Sequence, residues 1–381
     1  MDWKIPLFKI YWCEEDLKNV TKVIKRGSYW ATGPEIKEFE EKIAEYVGTK
    51  YAVTFNSGTS ALHALLLAYD LKRGDEVIVP SFTFIATANA PLFIGAKPVF
   101  AEIEDRTYGL DPEDVKKRIT PKTKAIIPIH YGGCPCLIRE LKEIAEDNNL
   151  LLIEDAAESL GAEINDKKVG TFGDSAMFSF CQNKVISTGE GGAITTDSKE
   201  IYEKLKLIRS HGRLETQDYF SSTEYMDYIT LGYNFRMPTM NAALGLSQLK
   251  KIDKVIKMRR DKAEYMTKKL SRIKEITLPT APPDYFHVYQ MYTIRINDTN
   301  QIRDKLIQYL AEKGIMSKVY FDPIHLTHFY RNKFGFKKDD LPITEKISKQ
   351  VLSLPLYPTL TEKEIDYITN NIYNFFKGEV L

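Results

Sequence analysis

The chain has 381 residues, of which 43% are hydrophobic and 28% are charged, and its formal net charge at pH 7 is +1. This balance predicts a large core and two or more domains, and it gives no reason to expect nucleic acid or a membrane surface as a partner. No apolar run approaches the roughly 20 residues of a membrane-spanning helix, and no signal peptide is predicted. Because four cysteines are too few for a disulfide framework, we expect reduced thiols and a cytoplasmic protein.

Helices and strands alternate in the first part of the chain. Residues 14–25 and 35–47 are predicted to be helical, the second because its apolar residues recur at helical spacing. Strand candidates follow at residues 51–55, 76–79, 98–103, 124–129 and 150–154, with helices such as 60–68 and 138–148 between most of them. Strands separated by helices predict a mostly parallel sheet, in which ligands bind beyond the carboxyl ends of the strands.

The sequence changes in character near residue 250. We therefore predict a large domain over residues 1–250, including an N-terminal segment, and a smaller α/β domain over residues 251–381. The elements predicted around and after this boundary are a helix at 241–258, strands at 289–296 and 315–320, and a closing helix at 361–376.

The clearest chemical signal is a lysine in the turn between two short strands of residues 171–197. Phe178, Phe180, Val185 and Ile186 flank Lys184, and glycines follow the turn. An apolar setting disfavours the charged ammonium, which is what an amine needs to condense with an aldehyde and to move protons. The alternative is a solvated loop lysine, because the chain has 53 Lys and Arg residues.

A phosphate site is indicated where residues 56–60 (NSGTS) follow a strand and open a helix. The backbone amides of Gly58 and Thr59 at a helix N-terminus, next to small hydroxyl side chains, suit a phosphate group. A plain helix cap is the alternative. The segment is not a Walker loop, because it lacks that motif's lysine, and the chain shows no dinucleotide-binding G-x-G-x-x-G.

Carboxylates cluster at the end of an apolar strand, in residues 153–159 (IEDAAES). Asp155 at this position can pair with a protonated ring nitrogen of a cofactor, cap a helix, or, together with Glu158, bind a magnesium ion. Cys134 and Cys136 do not form a good zinc site without a second Cys or His pair. We therefore predict no metal.

Three further segments carry candidate site residues. Phe84, in the segment PSFTF after a strand, can stack on a planar cofactor or belong to the core. Asn234 and Arg236, in GYNFRMP, suit an anion, possibly one bound across a subunit boundary, or lie in a surface loop. His325 is a loop histidine, for which catalytic and structural roles both stand.

Taken in order, these segments resemble the sugar-nucleotide aminotransferases of the DegT/DnrJ/EryC1/StrS type, and within them the perosamine-synthase type. The motifs that carry the resemblance are SGTSAL, PSFTF, EDAAESLGA, GTFGDSAMFSFCQNK, STGEGGAI and GYNFRMPTMNAALGLSQL. The resemblance covers nearly the whole chain. It implies an enzyme of fold type I that depends on pyridoxal phosphate, with a large α/β domain around a mixed, mostly parallel seven-stranded sheet, a smaller C-terminal α/β domain, and a homodimer with shared active sites.

The resemblance also implies a role for each site residue on the cofactor. Lys184 is expected to be the Schiff-base lysine and the base that moves the proton, while Asp155 pairs with the pyridine nitrogen and Phe84 stacks on the ring. The phosphate group is expected to contact Gly58, Thr59 and Ser179. Glu158 is expected next to the 3′ oxygen of the ring, where like charges would repel unless a proton is shared.

On the substrate side, the resemblance implies that Asn234 reaches the cofactor phosphate from the partner subunit and that Arg236 lies near the substrate. It places His325 near the sugar nucleotide. We further predict that residues 211–222 line the substrate entrance, because they lie between the lysine segment and GYNFRMP.

The expected reaction is transfer of an amino group from L-glutamate to a nucleotide-linked 4-keto-6-deoxy sugar, which gives a 4-amino-4,6-dideoxy sugar for a surface polysaccharide or glycan. Amination at C3 is the alternative within the class. A pyridoxamine phosphate-dependent sugar dehydratase would carry a histidine in place of Lys184, and a non-catalytic relative would have lost site residues. The nucleotide base stays open.

Overall fold

The computed structural model describes residues 3–214, 222–223, 225–297 and 300–378. The helices are α1 (Glu14–Arg26), α2 (Pro34–Val47), α3 (Gly58–Ala68), α4 (Ile85–Phe93), α5 (Pro112–Arg118), α6 (Ile138–Asp147), α7 (Lys199–Arg209), α8 (Thr239–Lys250), α9 (Ile252–Leu270), α10 (Asn300–Glu312), α11 (His328–Phe334), α12 (Pro342–Gln350) and α13 (Glu362–Phe376). The strands are β1 (Tyr51–Phe55), β2 (Glu76–Pro80), β3 (Lys97–Ala101), β4 (Thr123–Ile126), β5 (Leu151–Asp155), β6 (Glu163–Ile164), β7 (Lys167–Lys168), β8 (Ser175–Ser179), β9 (Gly192–Thr196), β10 (Ile276–Thr277), β11 (Tyr285–Phe286), β12 (Tyr292–Ile296) and β13 (Val351–Leu354).

The main sheet has seven strands in the order β1-β9-β8-β5-β4-β2-β3. Strand β9 is antiparallel to both of its neighbours, whereas β8, β5, β4, β2 and β3 pair in parallel. The expected α/β architecture with a mixed, mostly parallel seven-stranded sheet is therefore confirmed. Because helices cover both faces, strands such as β2 and β9 are buried along their whole length.

The carboxyl ends of the parallel strands meet at one edge of this sheet. β5 ends at Asp155 and β8 ends at Ser179, and β1 leads directly into the N-terminus of α3. β9 passes so close to this helix that a Cβ on Gly192 would lie 2.6 Å from the carbonyl oxygen of Ser57 and 2.7 Å from the nitrogen of Gly58. Only a glycine permits this close approach.

The later part of the chain forms a second layer around the antiparallel sheet β10-β12-β13. Helices α9, α10 and α13 pack around this sheet in a separate hydrophobic cluster. Helix α13 begins where the sequence predicts, because Thr361 and Glu364 form a reciprocal capping box. No helix within the described residues is long and apolar enough to cross a membrane.

Several predicted elements differ from the structure. The helix predicted at 241–258 is two helices, since Lys251 leaves the helical conformation with φ −112° and ψ 11° and separates α8 from α9. The strand predicted at 315–320 is not formed, because the segment makes only isolated bridges, from Ile315 to Ile5 and from Lys318 to Ser353. The strand predicted at 289–296 begins only at Tyr292.

The boundary predicted between residues 250 and 251 falls in the break between α8 and α9. Backbone pairing nevertheless crosses it, because β11 pairs with β6 and Ile5 pairs with Ile315. The division into residues 1–250 and 251–381 stays a prediction.

Candidate active site

A cavity of 570 Å³ lies beyond the carboxyl ends of β5 and β8, at the N-terminus of α3. Residues 316–321 and the N-terminal segment cover it from the other side. Its lining includes Leu7, Phe8, Gly58, Thr59, Phe84, Thr87, Asp155, Glu158, Ser179, Lys184, Glu190, Met316, Lys318, Tyr320 and Phe321. A larger surface groove of 780 Å³ between α1, α2 and α8 contains none of the predicted site residues.

The first turn of α3 forms one wall of this cavity. Ser57 caps the helix, and its hydroxyl accepts a hydrogen bond from the backbone nitrogen of Ser60 at 3.1 Å. The backbone amides of the first turn and the positive end of the helix dipole favour an anion here. Gly58 and Thr59 line the cavity together with Ser179, so the three residues that are expected to bind the phosphate lie in one place.

Asp155 lies on the floor of the cavity, buried at the end of β5. Its Oδ2 accepts a hydrogen bond from Thr87 Oγ1 at 2.6 Å, and its Oδ1 accepts one from the backbone nitrogen of Ala157 at 3.1 Å. Burial raises the pKa of the Asp155 carboxyl, while these two hydrogen bonds and the charge of Lys184 act in the opposite direction. A positive group of a bound ligand would therefore favour the carboxylate form.

Lys184 projects into the same cavity from the turn after β8. The apolar neighbours expected from the sequence are present, since Val185 and Ile186 are buried. The amine itself, however, faces a carboxylate, because Nζ lies 3.4 Å from Oε1 of Glu158. Oε2 of Glu158 accepts a hydrogen bond from the backbone nitrogen of Gly132 at 2.9 Å. Lys184 and Glu158 thus form an ion pair at the cavity wall.

Phe84 is a cavity residue rather than a core residue. Its side chain is 58% exposed, and its ring centroid lies 6.5 Å from that of Phe321. Phe84 follows β2 and precedes α4, so it stands at the same sheet edge as Asp155. The exposed ring is available to stack on a planar ligand.

The structure does not bring His325 to the described lining of this cavity. Its ring is buried, with Nδ1 at 2.7 Å from Ser81 Oγ and Nε2 at 3.2 Å from Glu345 Oε1. Burial lowers the pKa of His325, although Glu345 acts in the opposite direction. These contacts fit the structural role that the sequence left open for this histidine.

Asn234 and Arg236 also lie away from the described lining of this cavity. Asn234 is exposed, and Nη1 of Arg236 donates a hydrogen bond to Ser210 Oγ at 3.1 Å. Within the predicted entrance segment 211–222, residues 215–221 lie outside the described part of the chain. The entrance role of that segment stays a prediction.

Sequence reasoning missed several lining residues, notably Thr87, Lys318 and Tyr320. Thr87 lies only three positions after Phe84, in the first turn of α4, so its proximity to the site follows from the same motif. Tyr320 and Phe321 begin the segment YFDPIH, in which only His325 is a predicted site residue. Lys318 and the N-terminal residues belong to no recognisable motif. Only contacts between distant parts of the chain bring them to the cavity.

No group of three or more His, Cys, Asp or Glu side chains within the described residues is arranged to hold a metal ion. Cys134 and Cys136 are buried, and burial raises the pKa of Cys134 to about 12. Zinc binding requires thiolates, so this environment disfavours zinc at these two cysteines.

The mixed seven-stranded sheet with a cavity at its carboxyl edge is the architecture expected of a fold type I enzyme that depends on pyridoxal phosphate. The chain belongs to the DegT/DnrJ/EryC1/StrS aminotransferase family, whose sequence profile matches residues 12–373. It is therefore a pyridoxal phosphate-dependent sugar aminotransferase, and its cofactor is pyridoxal phosphate in the aldehyde or the aminated form.

Relatives with known names support this assignment. A GDP-perosamine synthase from Caulobacter vibrioides is 40% identical over 340 residues, which cover 89% of each chain. Helicobacter pylori PseC, an aminotransferase involved in the biosynthesis of pseudoaminic acid, superposes with a TM-score of 0.92 at 30% identity and covers 98% of this chain and 99% of PseC. Bacillus subtilis NtdA with bound cofactor PMP gives a TM-score of 0.85 at 31% identity, over 96% of this chain and 82% of NtdA.

The residues of the cavity fit this cofactor. Positions 58 and 192 at the helix start are both glycines, and a Cβ on Gly192 would lie 2.7 Å from the nitrogen of Gly58, one of the amides expected to bind the phosphate. A buried carboxylate, an amine and an exposed aromatic ring line the same space. These groups match the pyridinium nitrogen, the aldehyde and the ring face of the cofactor in charge and polarity.

Proposed function

We propose that the chain transfers an amino group from L-glutamate to C4 of a nucleotide-linked 4-keto-6-deoxy sugar, in a perosamine-type pathway for a surface polysaccharide or glycan. The observation that carries the proposal is one cavity that collects the amine of Lys184, the buried carboxylate of Asp155 and the helix start at Gly58. The 40% identity to a GDP-perosamine synthase supports the choice of sugar.

In this proposal the cofactor is held by residues on three sides. Gly58, Thr59 and Ser179 would bind its phosphate group, and Phe84 would cover one face of the ring. Asp155 keeps a negative charge next to the pyridine nitrogen. When bound, the cofactor supplies an electron sink for the carbanion that forms at the carbon bearing the amino group.

Lys184 is the catalytic residue of the proposal. Its amine would hold the cofactor between turnovers and, once free, would carry a proton between the α-carbon of the amino donor and the C4′ carbon of the cofactor. Glu158 lies 3.4 Å from this amine and is itself held by the backbone of Gly132. Glu158 would face the edge of the ring that carries the 3′ oxygen, where like charges would repel unless a proton is shared.

The residues on the opposite side of the cavity suit an anionic sugar nucleotide. Lys318 lines it, with its backbone paired to Ser353 in both directions at 3.1 and 2.9 Å. Its Nζ lies 5.0 Å from the ring centroid of Tyr320, which also lines the cavity. Phe8 and Met316 add apolar surface that suits the methyl group of a 6-deoxy sugar.

We further propose a homodimer with shared active sites. Asn234 is exposed and lies away from this chain's own cavity, although its segment packs on the start of α3 through Asn56 and Phe235. In a dimer, Asn234 would reach the cofactor phosphate of the partner subunit, with Arg236 near the substrate, as the family resemblance implies. Contacts of His325 to the sugar nucleotide are not part of the proposal, because its ring nitrogens bond within the chain.

A substrate panel tests the proposed function. The purified holoenzyme is incubated with L-glutamate and with GDP-, UDP- and dTDP-linked 4-keto-6-deoxy or 3-keto-6-deoxy sugars, and products are identified by mass spectrometry and NMR. We expect a 4-amino-4,6-dideoxy sugar from a 4-keto substrate. Amination of only the 3-keto sugars would establish the C3 alternative, and loss of water without amination would establish a dehydratase; either result contradicts the proposal.

A further inference from the structure

Two buried threonines connect the start of α4 to the floor of the cavity. Thr87 Oγ1 lies 2.6 Å from Asp155 Oδ2 and 3.0 Å from Thr83 Oγ1. All three side chains belong to residues that are at most 2% exposed. They therefore form a continuous hydrogen-bonded chain that is almost fully buried.

The direction of these hydrogen bonds follows from the number of protons. A threonine hydroxyl has one proton to donate, and the Thr87 proton points to the carboxylate. Thr83 must therefore donate its own proton to Thr87 Oγ1 at 3.0 Å. A hydroxyl that accepts one hydrogen bond becomes a stronger donor in the next, so Thr83 strengthens the bond from Thr87 to Asp155.

The same turn of backbone also positions the aromatic residue of the site. Phe84 lies between the two threonines and is the N-cap of α4, and its carbonyl oxygen accepts a hydrogen bond from the backbone nitrogen of Thr87 at 3.2 Å. The hydroxyl at the buried carboxylate and the exposed ring in the cavity are thus fixed by one helix start.

The charged groups that face Asp155 are Lys184 and Glu158, and they act in opposite directions. Burial is the largest influence and disfavours the carboxylate, whereas the Thr87 hydroxyl and the Ala157 backbone amide favour it. Removal of one of two donors to a buried carboxylate leaves an oxygen without its partner, which is costly.

We propose that Thr87 is a positioning residue that keeps Asp155 ionised and directed at the pyridine nitrogen of the cofactor. This inference rests on the proposed role of Asp155. Thr87 acts through Asp155 and is not itself a catalytic residue. Thr83 supports Thr87 in the same way, one hydrogen bond further from the cofactor.

The test compares cofactor binding to the purified, cofactor-stripped protein for Thr87→Val, Thr87→Ser and Asp155→Asn. Valine has the shape of threonine without the hydroxyl, and serine keeps the hydroxyl. Thr195→Val is the matched control, since Thr195 is buried in β9 and its Oγ1 has no hydrogen-bond partner among the described residues. The dissociation constant is measured by fluorescence titration with pyridoxal phosphate.

We expect Thr87→Val to raise the dissociation constant about tenfold, which corresponds to the loss of one hydrogen bond to a charged group. Thr87→Ser and Thr195→Val should stay within about twofold of the wild type. Thr83→Val should give a smaller rise and replaces Thr87→Val if that variant does not fold. The double variant Thr87→Val, Asp155→Asn should match Asp155→Asn alone, because the two residues act as a unit.

The cofactor-free protein gives a second readout. Without the Thr87 hydroxyl the carboxylate form of Asp155 is less favourable, so Thr87→Val should destabilise the fold more at pH 7 than at pH 4, and Asp155→Asn should abolish this difference. If Thr87→Val binds the cofactor as tightly as the wild type while Asp155→Asn does not, the role of Thr87 is wrong. If neither variant changes binding, the proposed role of Asp155 fails as well.

Discussion

The two sides of the candidate active-site cavity are built in different ways. The cavity floor, formed by Gly58, Thr87, Asp155 and Ser179, belongs to regular elements of the large sheet and its helices. The cavity rim, formed by Phe8, Met316, Lys318 and Tyr320, belongs to segments without regular secondary structure. On the floor Asp155 and Thr87 are buried and hydrogen-bonded, whereas on the rim Lys318 is exposed.

This difference separates two tasks. The floor fixes each polar group through strand ends, a helix start and buried hydrogen bonds, which suits a cofactor that is the same in every turnover. The rim is held by a few backbone bonds, such as the pair between Lys318 and Ser353, and its side chains can change without affecting the sheet. We therefore expect floor substitutions to affect cofactor chemistry and rim substitutions to affect the choice of substrate.

The largest effect is expected for Lys184→Ala. Loss of the amine removes both the covalent link to the cofactor and the base, so turnover should fall by at least about 10³-fold. Amino transfer is measured by product formation, and circular dichroism checks the fold. Turnover close to that of the wild type in a folded, cofactor-loaded variant would contradict the assignment of Lys184.

Asp155→Asn should reduce turnover by about 10²-fold, because the charge next to the pyridine nitrogen is lost.

The same substitution should stabilise the cofactor-free protein rather than destabilise it. Burial raises the pKa of Asp155, so the folded cofactor-free protein loses stability as the pH rises above the ordinary carboxyl value of about 3.9.

Asparagine does not titrate, so Asp155→Asn should be at least as stable as the wild type at pH 7 without cofactor, and this advantage should disappear near pH 4. Urea unfolding at both pH values measures the difference. If the stability of Asp155→Asn relative to the wild type is lower at pH 7 than at pH 4, burial does not disfavour the Asp155 carboxylate.

On the rim, Lys318→Gln should raise the Michaelis constant for the sugar nucleotide about tenfold, since one charged contact to an anionic substrate is lost. The dissociation constant of pyridoxal phosphate should stay unchanged. Lys349→Gln, at an exposed site on α12, serves as the control. If Lys318→Gln binds pyridoxal phosphate more weakly while the Michaelis constant for the sugar nucleotide is unchanged, Lys318 contributes to cofactor binding and this prediction is wrong.

The smallest effect is expected for Phe84→Leu, which keeps an apolar side chain but removes the aromatic face. Stacking adds roughly 0.5–1.5 kcal/mol, so the dissociation constant of the cofactor should rise about three- to tenfold. Phe93→Leu is the matched control, because Phe93 is also exposed and lies at the end of α4. Equal cofactor binding by Phe84→Leu and the wild type would show that the ring does not cover the cofactor.

The sequence predicted the residues of the cavity floor far better than those of the cavity rim. The predicted strand 51–55 coincides with β1, and Asp155 and Ser179 are the last residues of β5 and β8. Local patterns set these positions, because apolar strands and helix starts are encoded in neighbouring residues. Gly58, Thr59, Phe84 and the lysine segment lie in the same motifs, and the structure brings them into one cavity.

The remaining features depend on contacts between distant parts of the chain. The apolar segment 315–320 resembles a strand, but its partners, Ile5 and Ser353, form only single bridges with it. The ion pair between Glu158 and Lys184 and the hydrogen bond from Thr87 to Asp155 join different elements, so spacing along the chain does not reveal them. His325 is buried by Ser81 and Glu345, which lie far from it in the sequence.

The most direct test of the central claim is to locate the covalent bond between the cofactor and the protein. Borohydride reduction of the holoenzyme makes this bond permanent, and tryptic peptide mapping by mass spectrometry then identifies the modified lysine. We predict that the modified peptide spans residues 169–199, with the cofactor on Lys184. A modification on another lysine, such as Lys318, or none in protein loaded with pyridoxal phosphate, would contradict the proposed active site.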